Sequence, residues 1–213
     1  MIEGIKVCHI VATAANSTIG NNGDLPWKGF GMDLQRFKQK TLGHVVIVGR
    51  TTMEGMPYLK GRHTIVLTTD ESYQLSAEAQ ELNEKEDSSF SVVNSITEAL
   101  ELGVQKSKEL GKDRLYVIGG ESVYTATIPH TDIIEMTLTG HMPRGDAHYP
   151  ANLVLLASDI RTGAVNGERL GEELILGGES FTVVERQGSY QSDTKPSRFM
   201  YDFITLEKKS ANQ

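Results

Sequence analysis

Asp33 and Phe37 stand four residues apart in the stretch Met32–Thr41, where Leu34, Phe37 and Thr41 recur at three and four residues. That spacing predicts a helix with Asp33 and Phe37 on one face. A carboxylate beside an aromatic ring on an inward face accepts hydrogen bonds from an amidine-like edge while the ring packs on a flat molecule. An acid in a first helical turn also simply complements the helix dipole, and Asp33 alone does not choose between the two. Two glycine turns leave apolar runs: Val48-Gly49-Arg50-Thr51-Thr52 and Ile118-Gly119-Gly120-Glu121-Ser122. In an open α/β sheet, ligands bind at the carboxyl ends of strands, where helix starts offer free N–H groups to phosphates. Gly49 lets the backbone approach a ligand, the threonines supply hydroxyls, and Arg50 can grip a phosphate monoester in bidentate fashion. The plainer reading is a glycine that ends a strand and an arginine in solvent. Gly119-Gly120 permits close approach to a pyrophosphate, but no GxGxxG is present. Trp27, the only tryptophan, either shields a site or anchors a loop, and Arg62 either meets a substrate carboxylate or merely aids solubility.

These residues need elements to position them. Ile5–Ala14 reads as a strand, Asn16–Gly31 as a loop containing Leu25-Pro26-Trp27, and Met32–Thr41 as the helix already described. Val45–Val48 and Thr64–Leu67 are β-branched runs of the kind found in strands buried on both faces. Thr51 or Thr52 is expected to cap a short helix. Asp70–Ser89 reads as loop, Ser91–Val93 as a strand, Ile96–Leu110 as an amphipathic helix and Arg114–Ile118 as a strand. Glu121–Ile128 is expected to be a helix stopped by Pro129, followed by a strand over Ile133–Gly140. Phe181–Arg186 and Phe199–Glu207 form a closing hairpin, whereas Asn152–Ser180 receives no assignment. The alternation predicts an α/β fold with a doubly wound, mainly parallel sheet and a C-terminal antiparallel hairpin, as one domain over residues 1–213.

Composition narrows the partners. The 213 residues suffice for a sizeable core. A net charge of −7 disfavours a nucleic-acid groove while leaving room for a local anion pocket. Cys8 is the single cysteine, so an intrachain disulfide and a thiolate-rich metal site are excluded; the six histidines show no HxxxH or HExxH spacing, and no metal is expected. The apolar stretch Val7–Ala15 loosely resembles a signal peptide, but His9 and Thr13 interrupt it, and a buried first strand accounts for it better. No run reaches the ~20 apolar residues that span a membrane, and a cytoplasmic monomer is expected.

Taken in order, seven stretches resemble the dihydrofolate reductase family. They are Ile19–Trp27, Asp33–Lys38, Val48–Glu54, Gly61-Arg62 leading into Leu67-Thr68-Thr69, Val117–Tyr124, Gly145–Pro150 and Tyr201-Asp202-Phe203. The likeness runs from about Val7 to Glu207, with a poorly matched segment at 152–180. It implies a dihydrofolate-reductase-like fold and the NADPH-dependent reduction of dihydrofolate, open to antifolate inhibitors. Asp33 and Trp27 would be the catalytic residues. Ala12, Leu25, Asp33, Leu34, Phe37 and Thr137 would line the substrate pocket, with Arg62 pairing the carboxylate of the substrate's tail. Gly49, Arg50, Thr51, Thr52, Leu67, Thr68 and Thr69 would hold the adenosine end of the cofactor, Arg50 favouring a 2′-phosphate. Ile118, Gly119, Gly120, Glu121, Ser122, Val123 and Tyr124 would hold its diphosphate and nicotinamide side, with Ala12, Ile19 and Gly20 also touching it. The loop Asn16–Trp27 would act as a flap steadied by Asp146. Three positions depart from the family pattern, and the first is Met53, which stands where many relatives carry an aromatic residue. Glu121 sets a negative charge beside the diphosphate unless its side chain turns away, and Ser122 brings no positive charge. Two rivals stay open: a related reductase acting on a phosphoribosylamino-pyrimidine, and a nucleotide-binding module without catalysis, which leaves the Asp33–Phe37 pair unexplained.

Overall fold

Strand β1 (Lys6–Ala14) alternates between two environments, and that alternation decides where a site can lie. Val7 and Val11 point into the largest apolar cluster, and His9 and Thr13 share their parity. Cys8 and Ile10 point the other way, toward Phe37, while Ala12 and Ala14 lie against the cluster around Trp27. The computed structural model describes residues 1–27, 30–83, 88–162, 169–192 and 199–209.

The further elements are β2 (Thr18–Gly20), α1 (Gly31–Thr41), β3 (Val45–Gly49), α2 (Arg50–Glu54), β4 (His63–Leu67), α3 (Ala77–Asn83), β5 (Ser89–Val93), α4 (Ile96–Glu109), β6 (Arg114–Val117), α5 (Glu121–Thr127), β7 (Ile133–Thr139), β8 (Ala147–His148), α6 (Val154–Thr162), β9 (Glu173–Leu176), β10 (Glu179–Gln191) and β11 (Met200–Lys208). Among the described residues nine strands form one sheet in the order β5-β4-β3-β6-β1-β7-β11-β10-β9, and β2 pairs with β8 separately. Pairing is parallel from β5 through β7 and antiparallel from β7 through β9. One face is covered by α4, α5 and α6 through Leu100, Val123 and Leu156. The other carries α1 and α2 through Phe37 and Met53. Helices on both faces of a mostly parallel sheet make the doubly wound architecture, and the terminal hairpin is antiparallel as expected.

Three local expectations are corrected. Within Asp70–Ser89, read as loop, lies α3; its Ser76 Oγ accepts from the Ala79 N–H at 3.2 Å, an N-terminal cap followed by good helix formers. The loop Asn16–Gly31 contains β2. Neither Thr51 nor Thr52 caps α2: Gly49 is the N-cap residue and both threonines lie inside the helix. The helix α5 ends at Thr127, just before Pro129 as expected, and a 3₁₀ turn over Ile128–His130 follows, with proline in its first turn where no N–H is needed. The unassigned stretch Asn152–Ser180 contributes α6 and the edge strand β9, which turns into β10 through Gly177 and Gly178 at φ 57° and 87°. Two consecutive positive φ values suit a hairpin turn whose twist matches its strands, and glycine adopts them without strain.

Candidate active site

Two β7 residues of equal parity, Glu135 and Thr137, face α1 and seat it. Arg36 and Lys40 of α1 both pair with the Glu135 carboxylate, which is 3 % exposed. One helical turn back, the Thr137 hydroxyl donates to Asp33 Oδ1 at 2.6 Å. Asp33 is thus turned onto the sheet and half-buried there. Burial raises its pKa, and this outweighs the Thr137 hydrogen bond and the Arg36 charge, both of which favour the carboxylate. Strand register sets Ala12, Thr137 and Phe203 side by side across β1, β7 and β11. Ala12 and Thr137 therefore lie next to the acid although 125 residues separate them in the sequence.

Phe37 packs beside Ile10, and the Arg62 guanidinium sits 5.8 Å from its ring centre. Arg62 is buried, so it does not serve merely as a solubilising charge. Its Nε donates to Thr41 Oγ1 at 2.9 Å and its Nη1 to the Lys60 carbonyl at 2.7 Å, which fixes the group at the far end of α1 from Asp33. Leu25 and Leu34 are exposed, 42 % and 59 %. Trp27 is 7 % exposed and stacks on Phe30 with ring centres 5.5 Å apart. Its buried indole N–H has no partner among the described residues. The ring thus anchors the loop, with Ala14, Phe30, Tyr201 and Phe203 in its cluster. A groove of about 290 Å³ runs along the adjoining flank of α1, but its walls, which include Arg36, Glu185 and Phe203, do not include Asp33.

The two glycine turns meet because β3 and β6 are parallel neighbours. The Ile118 N–H donates to the Ile47 carbonyl at 2.9 Å, and the Gly49 N–H donates to the Gly119 carbonyl at 2.8 Å. The Gly119–Gly120 peptide is cis. A Cβ on Gly120 would lie 2.9 Å from Thr52 Oγ1, and one on Gly49 would lie 3.0 Å from Val123, so the chains approach as only glycine allows. The Tyr124 ring covers Gly119, and its hydroxyl donates to the Ile10 carbonyl at 2.7 Å, tying α5 to β1. Among the described residues neither α2 nor α5 has a side-chain cap, in contrast to α4, where Ser95 accepts from the Glu98 N–H. The first-turn N–H groups of α2 and α5 are thus left for other acceptors. Leu67 is half-buried and Thr68 buried, whereas Thr51, Thr69 and Ser122 are exposed. Arg50 is not free in solvent: it pairs with Asp70 at 3.1 Å.

The loop that follows β1 is tied down at two points. Asp146 accepts from the Asn22 N–H at 3.1 and 3.0 Å, as the sequence leads one to expect, and its own N–H donates to Gly20. Glu121 turns away from the glycine turn and accepts from the His148 N–H on β8 at 2.8 Å, while β8 pairs with β2, which carries Ile19. Sequence reading passed over Arg36, Glu135 and Asp70. Glu135 carried a signal, an acid inside the otherwise apolar-and-threonine run Ile133–Thr139, and Asp70 directly follows the threonine pair of the β4 turn. Among the described residues no cluster of His, Cys, Asp and Glu could hold a metal ion, and no helix is long and apolar enough to cross a membrane.

A half-buried acid on the first helix, with two glycine turns at the carboxyl ends of parallel strands, is an arrangement of the class of α/β enzymes that act on small molecules. The model of the dihydrofolate reductase family matches residues 6–154, and the chain belongs to that family. It is 35% identical to dihydrofolate reductase type 8 of Escherichia coli over 146 residues, 68% of this chain and 80% of that protein. It is 34% identical to the dihydrofolate reductase of Bacillus subtilis (strain 168) over 148 residues, 68% and 75% of the two chains. A solved structure, the dihydrofolate reductase from Enterococcus faecalis complexed with NADP(H) and RAB-propyl, superposes with a TM-score of 0.62 over 96% of this chain and 97% of that one, at 23% identity.

Proposed function

We propose that the chain performs its family's reaction, the NADPH-dependent reduction of 7,8-dihydrofolate to 5,6,7,8-tetrahydrofolate, with Asp33 as the residue that holds the pterin. The observation that carries this is the Asp33 carboxylate, turned onto β7, bonded to Thr137 and raised in pKa by burial. It accepts hydrogen bonds from the exocyclic amino group and adjacent ring nitrogen of the pterin. Ala12, Leu25, Leu34, Phe37 and Thr137 line the rest of the pocket, and Arg62, fixed by Thr41 and Lys60, meets the carboxylate of the substrate's tail. Trp27 excludes water from one side and offers its indole N–H.

The two turns suit a phosphorylated dinucleotide: a Cβ would clash with Thr52 at Gly120 and press on Val123 at Gly49, and α2 and α5 begin without side-chain caps among the described residues. Gly49, Arg50, Thr51, Thr52, Leu67, Thr68 and Thr69 take the adenosine end. Ile118 to Tyr124 take the diphosphate and nicotinamide, with Ala12, Ile19 and Gly20 closing over them. Glu121 contributes its backbone, since its side chain is engaged with His148. The bound dinucleotide supplies a hydride to C6 of the pterin. The chain's own contribution is alignment of the pterin and a local negative potential. Asp33 grips the far edge of the ring, so the proton for N5 comes from water, drawn by the Asp33 charge.

The test is a spectrophotometric assay of NADPH consumption with dihydrofolate, with the phosphoribosylamino-pyrimidine, and with methotrexate added. Turnover of dihydrofolate alone, abolished by methotrexate, is expected. Turnover of the pyrimidine, or binding without turnover, would replace the proposal with one of its rivals.

A further inference from the structure

The turn after β4 carries an anion where a phosphorylated ribose calls for a cation. Arg50 opens α2 at the carboxyl end of β3, and Asp70 follows the carboxyl end of β4; the strands are parallel neighbours with Gly49 opposite Leu67. Arg50 Nη1 donates to Asp70 Oδ2 at 3.1 Å, and the guanidinium lies 5.9 Å from the centre of the Tyr73 ring. Asp70 is a fixed group. Its Oδ1 accepts from the Ser72 N–H at 3.0 Å and from the Ser72 hydroxyl at 2.6 Å, and its own N–H donates to Thr68 Oγ1 at 3.1 Å. The Ser72 hydrogen bonds hold its carboxyl below the usual aspartate range, so it is charged at working pH. Glu71 adds a second acid beside it.

We propose that Asp70 is a specificity-determining residue that partly neutralises Arg50, weakens the preference for a 2′-phosphorylated dinucleotide and admits the unphosphorylated one. The proposal rests on the placement of the adenosine end at Arg50 and Thr69. A phosphate monoester that reaches Arg50 must share it with, or displace, a carboxylate pinned by Ser72. A free ribose hydroxyl brings no charge and donates a hydrogen bond to that carboxylate, the pairing by which acids accept an unphosphorylated ribose. Like charges a few ångströms apart near a surface are worth about tenfold in affinity.

Calorimetry on the folded protein with adenosine 2′,5′-bisphosphate and adenosine 5′-monophosphate isolates the 2′-phosphate, and Trp27 fluorescence gives the dissociation constants of NADPH and NADH. The intact chain is expected to prefer the phosphorylated member of each pair by no more than about tenfold. Asp70→Asn keeps an acceptor for Ser72 and is expected to raise both ratios about tenfold by tightening only the phosphorylated ligand. Ratios unchanged within about twofold in Asp70→Asn, or near a thousandfold already in the intact chain, would overturn the role of Asp70. Arg50→Gln is expected to bring both ratios near unity. If they survive that substitution, the placement of the phosphate at Arg50 fails, and the proposal falls with it for a distinguishable reason.

Discussion

At Asp33 burial and hydrogen bonding pull in opposite directions. The Thr137 hydroxyl and Arg36 favour the carboxylate, but the cost of removing it from water is larger and the pKa rises. A carboxyl whose folded pKa lies above its unfolded one gives its full contribution to stability below the unfolded pKa and loses it as pH rises through the folded value. Ionised Asp33 is thus a burden on the empty protein at neutral pH. Asp33→Asn keeps an acceptor for Thr137 and should melt at a higher temperature than the parent at pH 7, the gap closing as pH falls below the ordinary aspartate range. A variant that melts lower at pH 7 would contradict the burial argument. For the reaction the sign is reversed: the same substitution should lower kcat/KM for dihydrofolate by about 10²-fold or more while leaving the NADPH dissociation constant nearly unchanged. In single-turnover absorbance traces hydride transfer should slow as pH rises, because N5 loses the proton that the Asp33 charge helps it hold. A flat profile would remove Asp33 from the chemistry.

Among the elements, α1 and β7 act as one unit because Glu135 takes two cations from the helix, 99 and 95 residues away in sequence. Glu135→Gln leaves Arg36 and Lys40 without their buried counter-charge, one of them beside Asp33. Breaking such a pair from one side costs about 3 kcal/mol, readable as a lower urea midpoint. The uncompensated Arg36 should also offset the Asp33 charge that favours protonation of N5 and move the pH profile of hydride transfer to lower pH; loss of stability with an unmoved profile would mean that Glu135 holds the helix and does nothing more. The flap offers a steric counterpart. A Cβ on Gly145 would lie 2.3 Å from the Gly20 carbonyl oxygen, so Gly145→Ala must part β8 from β2. It should cost about 1–3 kcal/mol and raise the NADPH dissociation constant, both measurable on the purified variant. Much at this scale is legible beforehand. Val45–Val48 and Thr64–Leu67 announce buried strands by β-branching alone, and the Asp33–Phe37 spacing fixes the inward face of α1. The helix α3 escapes notice because Ala77–Asn83 has helical composition but little apolar periodicity, its buried Ala79 being too small to stand out. The pairs Arg36–Glu135 and Arg50–Asp70 escape for another reason. Each depends on which strands become neighbours, and local sequence does not encode that.

For the whole molecule, the strand order brings β1, α5 and the segment after β8 together on the face opposite Asp33, and His9 joins them. Its Nε2 lies 2.8 Å from Thr127 Oγ1 and its Nδ1 lies 2.9 Å from the Tyr149 hydroxyl. Thr127 spends its single hydroxyl proton on the Val123 carbonyl at 2.6 Å, so Nε2 must carry the imidazole proton and Nδ1 must accept from Tyr149. Full burial pushes the His9 pKa down to about 3, and the other titratable groups against it, Tyr124 and Tyr149, are held neutral by burial as well. With the folded pKa below the unfolded one, the neutral ring's contribution is complete above the ordinary histidine pKa and is lost as pH falls toward 3. His9 therefore opposes Asp33: acid relieves the carboxylate and strains the imidazole. Urea unfolding at pH 7, 6, 5 and 4 separates them. His9→Gln should be less stable than the parent at pH 7 by about 1–3 kcal/mol, since it cannot satisfy both partners. The parent's advantage should then shrink by about 1.4 kcal/mol per pH unit below pH 6, the slope of one extra proton bound by the unfolded chain. Parallel pH curves for parent and variant would show that His9 is protonated in the folded state or is not buried as described. The acid limb of stability would then have to come from the carboxylates paired with Lys and Arg.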